Sequence, residues 1–341
     1  MTLHVTAGAW GATMAAIGAL LALDALVVGR RQHAISLRVA TRWSLAYIAV
    51  ALAVGVVFSV LTNWSLGAQY FSGYVVEKSL SVDNLFVFVL IIGSFAVPPA
   101  QQPKVISIGI MLALGVRAVF IAIGAAALDA FSIAFLLFGI TLIATATQLF
   151  RHRNLDPQVD DNAIVALARH VLPLSPGYDG GRIVSRRNGR RTFTPMFLAL
   201  LAIGTTDILF AFDSIPAVFG VTDHAYIVFT ANAFALLGLR PLYFLVSDLL
   251  ERLVFLSTGL AVVLAFIGVK LVLEFAHIQD HGVPQISTAA SLMTIVAVLL
   301  VTTLASIVAS RRNPDLRAHA GSLTTSAPSA PPAPDDEAAR R

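Results

Sequence analysis

Apolar residues run along this chain in long unbroken blocks, separated by short polar or basic connectors, with no period-two alternation. The blocks stand at residues 8–29, 41–63, 72–95, 105–126, 130–150, 195–219, 225–249, 253–275 and 289–310. Each approaches the roughly 20 residues that one helix needs to cross the hydrocarbon core, so the pattern predicts nine transmembrane helices. A transmembrane β-barrel would instead show alternating segments of about ten residues, which excludes that architecture. The block at 225–249 is interrupted by Arg240-Pro241. The first block carries Asp24 and is followed by Arg30 and Arg31, unlike a cleaved signal peptide, and is expected to be a retained span.

The connectors are unequal. Arg38 and Arg42 extend the basic stretch after the first block, eight Arg residues crowd the connector after the fifth, and Arg311, Arg312 and Arg317 follow the ninth. Connectors after the second, fourth, sixth and eighth blocks carry no Lys or Arg. The positive-inside rule then predicts an outside N-terminus and a cytoplasmic C-terminus. Residues 151–193 form a polar, Arg-rich cytoplasmic loop, too short for a packed domain, in which 163–174 has the pattern of one amphipathic helix. Residues 318–341 are rich in Pro, Ala and Ser without apolar periodicity and are expected to be disordered.

Across the central loop the chain repeats itself. Glu77-Lys78-Ser79-Leu80-Ser81-Val82-Asp83-Asn84-Leu85 aligns with Asp207-Ile208-Leu209-Phe210-Ala211-Phe212-Asp213-Ser214-Ile215, an acid, five residues, Asp, an amide or hydroxyl, then an aliphatic. In the next block of each half, Leu114-Gly115-Val116-Arg117 aligns with Leu237-Gly238-Leu239-Arg240. The offsets, 207 − 77 = 130 and 240 − 117 = 123, differ by 7. Each copy holds three spans, an odd number, so the second enters the membrane from the opposite side. The predicted fold is therefore an all-α membrane protein of about nine transmembrane helices with two inverted three-helix repeats, a transporter architecture whose site lies near the midplane. The organisation read from this is two N-terminal helices (1–63), repeat one (64–150), the loop (151–193), repeat two (194–276), the ninth helix with its basic end (277–317) and the tail.

Composition narrows the chemistry. The chain is 57% hydrophobic and 12% charged, where a soluble domain averages about 25% charged. Its net charge of +4 sits in connectors and implies no nucleic acid, and with no Cys there is no disulfide or thiolate ligand. The repeated polar residues stand inside the membrane, where one charge costs about 2.5–3.5 kcal/mol on insertion scales. Glu77, Asp83, Asp207 and Asp213 must face cations, water or one another, and Arg117 and Arg240 supply charge balance, as fixed ion pairs or as part of a pathway. Lys78 is a cation that could neutralise Glu77 at the outer end of its span. In an unbroken helix residues six apart diverge by about 120°, so Glu77 and Asp83, or Asp207 and Asp213, converge only if the helix is broken, and Pro216 is the place where a carbonyl would be freed. The midplane donors are carboxylates, hydroxyls, Asn84 and Asn232. Oxygen donors suit Mn, Mg or Ca rather than copper or zinc, with protons or a small anion also open.

These stretches resemble the TerC/Alx family of bacterial integral membrane proteins. The likeness rests on residues 73–88, on Thr206-Asp207-Ile208-Leu209-Phe210-Ala211-Phe212-Asp213-Ser214-Ile215-Pro216-Ala217, and on residues 227–240, and it runs from about Leu21 to Leu273. The departures fall mainly at Arg38–Ser44 by number, where the family has an acid before the Ala, in the central loop and in the tail. The resemblance implies a manganese-handling membrane protein, several members being exporters, with a family link to tellurite resistance. It implies that Glu77, Asp83, Asn84, Asp207, Asp213 and Ser214 line a cation site.

The expected function is thus secondary transport of a divalent cation, Mn(II) by resemblance, through alternating access. The implied partners are the lipid bilayer, the metal ion as cargo and protons as a coupling ion. No enzymatic activity and no resident cofactor are expected, and oligomeric state is not legible. The alternative is a non-transporting component of a tellurium or envelope-stress resistance complex, with the Arg-rich loop as docking surface. An intramembrane aspartyl protease is disfavoured by the lack of a Gly-x-Gly-Asp motif.

Overall fold

The computed structural model describes residues 5–29, 37–151, 162–175, 177–187, 190–250 and 254–312. Arg30, Arg31, Arg317, the tail and the side chain of Asp24 lie outside the described residues. The described elements, in order, are α1 (Ala7–Gly29), α2 (Leu37–Leu61), α3 (Trp64–Ser94), α4 (Gln102–Ala130), α5 (Ile133–Arg151), α6 (Ala163–Val171), β1 (Val184–Arg187), β2 (Arg190–Phe193), α7 (Pro195–Phe219), α8 (Ala225–Leu236), α9 (Leu239–Leu250), α10 (Leu256–Gln279) and α11 (Thr288–Arg312). Six of these helices, α2, α4, α5, α7, α10 and α11, are long and apolar enough to cross a membrane. The protein is an all-α membrane protein. Large apolar side chains such as Val60, Met111, Ile123 and Leu304 are exposed on the bundle, where lipid would cover them.

Local chemistry sets the helix ends. Asn63 accepts from the Leu66 amide at 2.9 Å and caps α3, which runs 31 residues, or about 46 Å at 1.5 Å per residue. It stops where Ala96 takes φ 48° and the Val97 amide returns to the Ile92 carbonyl at 3.0 Å, just before Pro98-Pro99. Proline opens both α4 and α7, where its missing donor costs nothing.

Each apolar block is helical over its described part, with one departure. The block at 225–249 is two 12-residue helices, α8 and α9, joined at Leu237-Gly238. Gly238 has φ 84°, and a Cβ there would meet the Tyr47 Cβ of α2 at 2.7 Å, so the position excludes any side chain. Pro241 explains the break, since it cannot donate to the Leu237 carbonyl and its ring would clash with it. The aligned first-half stretch has Ala118 at that place and Gly115 inside an unbroken α4. The break predicted at Pro216 does not occur. α7 is continuous through Pro216, which lies only three residues before the helix ends, and the Gly220 amide still reaches the Pro216 carbonyl at 2.8 Å.

Packing follows the two halves of the chain. α3 lies against α7 and α8, α4 against α7 and α8, and α5 against α10. The last pair meets backbone to backbone: a Cβ on Gly139 would stand 2.8 Å from the Gly268 carbonyl oxygen, and one on Gly268 2.9 Å from that of Gly139. Small residues drive such close approach where no hydrophobic effect separates helix from lipid. Gly139→Val is therefore expected to destabilise the protein by about 1–3 kcal/mol through overpacking, read as a lower thermal midpoint in detergent; an unchanged midpoint would mean that α5 and α10 separate without cost.

The central segment is not a free loop. Asn162 caps α6 through its Oδ1, which accepts from the Ile164 and Val165 amides, and its Nδ2 donates to Thr205 of α7 at 2.7 Å. A short 3-10 turn at Asp179–Gly181 leads to the antiparallel β1–β2 hairpin. Tyr178 donates to the Phe95 carbonyl at 2.6 Å and Lys104 to that of Gly181 at 2.9 Å, so the segment is tied to the C-terminal end of α3 and the N-terminal end of α4. Val165 and Ala168 join the apolar core formed by these helix ends and α7.

Candidate functional site

The middles of α3, α4 and α7 each carry an ionisable residue, and the three meet. Arg117 of α4 is fully buried and donates through Nη1 to Glu77 Oε1 of α3, while its Nη2 stands 3.7 Å from Asp207 Oδ1 of α7. With its amide oriented to satisfy both ends, Asn84 accepts from Arg117 Nη2 at 2.8 Å and donates to the Leu80 carbonyl at 3.1 Å. Ser81 adds a donor to Glu77 at 3.2 Å. The fork of a guanidinium suits this work, because it presents several donors in fixed directions. Glu77 of α3 and Asp207 of α7 are thus joined by one arginine from α4.

The second acids lie apart from that cluster. Asp213 accepts from Thr145 of α5 at 2.8 Å. Asp83 has its Oδ1 buried with no hydrogen-bond partner, and the buried Ser214 hydroxyl likewise has none. Because α3 and α7 are unbroken, six residues carry Glu77 and Asp83 to different faces, as they do Asp207 and Asp213. Among the described residues, no three acidic or histidine side chains stand close enough to hold a metal ion together. Unpartnered oxygens nonetheless recur in the bundle: Glu77 Oε2, Asp207 Oδ2, Asp83 Oδ1 and Ser214 Oγ.

The helix break contributes groups of its own. α8 ends at Leu236, and the turn at Gly238 takes its last carbonyls out of helical register. Lys78 of α3 donates to the Ala235 carbonyl at 3.0 Å. The direct partner of Glu77 is Arg117, whereas the hydrogen bond of Lys78 goes to α8. On α8 itself, Asn232 is 1% exposed with both amide atoms unpartnered, and Thr230 has an unpartnered hydroxyl beside an apolar cavity of about 400 Å³ between α1, α2, α3 and α8. Arg240 is buried in the first turn of α9, four residues after the last residue of α8.

Thr145 and Thr230 carried no sequence signal, since a hydroxyl inside an apolar helix ordinarily bonds its own backbone, as Thr141 and Thr147 do here. Lys78 did carry one. A lysine in the middle of a long apolar run needs an acceptor, and the neighbouring interrupted block supplies carbonyls.

The model of the integral membrane protein TerC family matches residues 62–314, from the start of α3 to just past α11. An uncharacterized membrane protein of Mycobacterium tuberculosis (strain ATCC 25618 / H37Rv) is 44% identical over 317 residues, covering 89% of this chain and 79% of its own. The thylakoid membrane protein TERC, chloroplastic, of Arabidopsis thaliana is 41% identical over 245 residues, 72% of this chain and 62% of its own. Alx of Escherichia coli (strain K12), which bears the name of a membrane-bound redox modulator, is 35% identical over 283 residues, 79% and 87% of the two chains. No solved structure matches. With a family model covering most of its length and relatives this similar, the chain belongs to the TerC family of integral membrane proteins.

Proposed function

We propose that this protein is a secondary transporter that exports a divalent cation, Mn(II), by alternating access between two inverted three-helix repeats. One observation carries the reading: carboxylate and hydroxyl oxygens of Glu77, Asp83, Asp207 and Ser214 are buried at membrane depth without partners. Unpaired buried oxygens are costly, and such groups in a membrane bundle mark ion or proton pathways by default. The donor set is all oxygen, which suits a hard divalent ion. In this reading Asp83 and Asp213 bind the cation, and Glu77 and Asp207 assist or carry coupling protons, with Asn84 and Ser214 as neutral ligands. Arg117 and Arg240 balance charge in the empty state. The carboxylates would converge only in another conformation of the cycle. The substrate passes through without chemical change.

The helix pairings support the repeats. Exchanging the first half (α3, α4, α5) for the second (α7, α8–α9, α10) turns the α3–α8 contact into α7–α4 and leaves α3–α7, α4–α8 and α5–α10 each paired with itself. That is what a two-fold axis in the membrane plane would produce. Counting α8–α9 as one discontinuous span gives nine, with the N-terminus outside and the C-terminus in the cytoplasm of a bacterial inner membrane.

A cell made Mn-sensitive by loss of its own exporter tests the reading. The wild-type chain is expected to restore growth in Mn(II), and Asp213→Asn at equal membrane abundance is expected not to. Asp213→Asn that protects as well as the wild type removes Asp213 from the site, and a wild type that does not protect contradicts the function.

A further inference from the structure

We propose that Lys78 is the built-in counter-ion of the empty carrier: its ammonium holds the open end of α8 when no metal is bound and must leave that end when the cation arrives. The inference rests on the transport reading and deepens it.

The C-terminal end of a helix carries a partial negative charge and unpaired carbonyls, and in a discontinuous membrane helix that end falls inside the bundle, where it attracts a cation. α8 ends in this way at Leu236, because Gly238 turns the chain at φ 84° and Pro241 cannot donate back. The cation found there is Lys78, 3.0 Å from the Ala235 carbonyl and contributed by α3, the helix that also carries Glu77 and Asp83. One turn earlier, the buried Asn232 amide has neither of its atoms partnered. A carbonyl end with an unused amide beside it is a set of oxygen ligands for a hard cation, and it is filled by a tethered one.

Lysine fits the task. It is a compact point charge on a flexible stem, able to hold a carbonyl in one state and withdraw in another, whereas the Arg117 fork is locked to three partners. In this proposal the arriving cation engages the carbonyl end of α8 in addition to the carboxylates assigned to it above, and a divalent ion and an ammonium cannot share that end without strong repulsion in a medium of low dielectric. Metal binding therefore displaces Lys78, and metal release lets it return, so the empty carrier can reorient with the helix end still neutralised.

Separating two modes of transport by the full-length protein in proteoliposomes tests this. Net efflux of Mn(II) needs the empty carrier to return, while exchange of labelled for unlabelled Mn(II) across the membrane does not. Lys78→Gln is expected to slow net flux by about tenfold or more, equivalent to about 1.4 kcal/mol on the return barrier, while exchange stays within about twofold of wild type. Retained exchange itself shows that the variant is folded. Lys78→Arg, which keeps the charge, is expected to keep net flux. Unchanged net flux in Lys78→Gln overturns the counter-ion role, as does loss of both modes, or a Lys78→Arg protein that exchanges without net flux. A wild type that shows neither mode overturns the transport reading, and this inference with it.

Discussion

Replacing Arg117 by Met is expected to destabilise the protein by about 3–5 kcal/mol, the cost of leaving buried charges without their partner. The reason is the geometry around the guanidinium. Arg117 is fully buried, as is Glu77, and the Asp207 side chain is only 2% exposed, so neither acid can recover its lost partner from solvent. Asn84 would lose its acceptor bond as well. Lysine at this position should restore only part of the loss, because one ammonium cannot reproduce a fork that reaches α3 and α7 together. Removing the charges as a set should be far milder: the triple variant Arg117→Met, Glu77→Gln, Asp207→Asn is expected to regain most of the stability, since an uncharged cluster strands no ion. Thermal unfolding in detergent reads all three. Arg117→Met within about 0.5 kcal/mol of wild type would mean that the cluster is not what joins α3, α4 and α7.

The second large effect is on transport rather than stability. Asp83→Asn is expected to reduce Mn(II) flux by about 100-fold or more while leaving the thermal midpoint near that of the wild type, because it removes a charge that binds the cargo but holds no partner in this conformation. Asp83 Oδ1 is buried and makes no hydrogen bond. Evolution retains a lone carboxylate at such a depth only at a standing cost, so relieving it by an amide should, if anything, stabilise the resting fold. Asp83 is predicted to be dispensable for folding and needed for flux, Arg117 needed for folding first. A stability loss in Asp83→Asn as large as that of Arg117→Met would assign Asp83 to structure.

Much of this was legible in the apolar pattern, because burial in lipid requires long runs and the runs name the helices. The likeness of the two halves of the chain is a property of the sequence itself, since the same acids and the same Leu-Gly-x-Arg stretch recur in order. The interruption at Arg240-Pro241 was legible as well, but the break expected at Pro216 does not form. Pro216 and Pro241 both lie in apolar blocks, and only their distance from a helix end separates them: Pro216 falls in the last turn of α7, whereas Pro241 falls in the middle of its block and splits it. The hairpin was missed because its strands, Val-Ser-Arg-Arg and Arg-Arg-Thr-Phe, are short and polar, although the Asn-Gly dipeptide between them is a known hairpin signal. Within the site, the acids and Arg117 announced themselves by their cost in lipid. What no spacing revealed is which acid meets which base. Glu77 and Lys78 are adjacent in sequence but point to different neighbours, Arg117 on α4 and Ala235 on α8, and only the packing of the two halves decides this.

The central claim is that the unpartnered oxygens serve a moving cation, and flux through the purified protein tests it most directly. Wild-type protein in liposomes with Mn(II) on one side is expected to give saturable flux that responds to an imposed pH gradient and is lost in both Asp83→Asn and Asp213→Asn. Liposomes that stay closed to Mn(II), Mg(II) and Ca(II) alike, with folded wild-type protein in them, would contradict the account and point instead to a membrane component that works through partners.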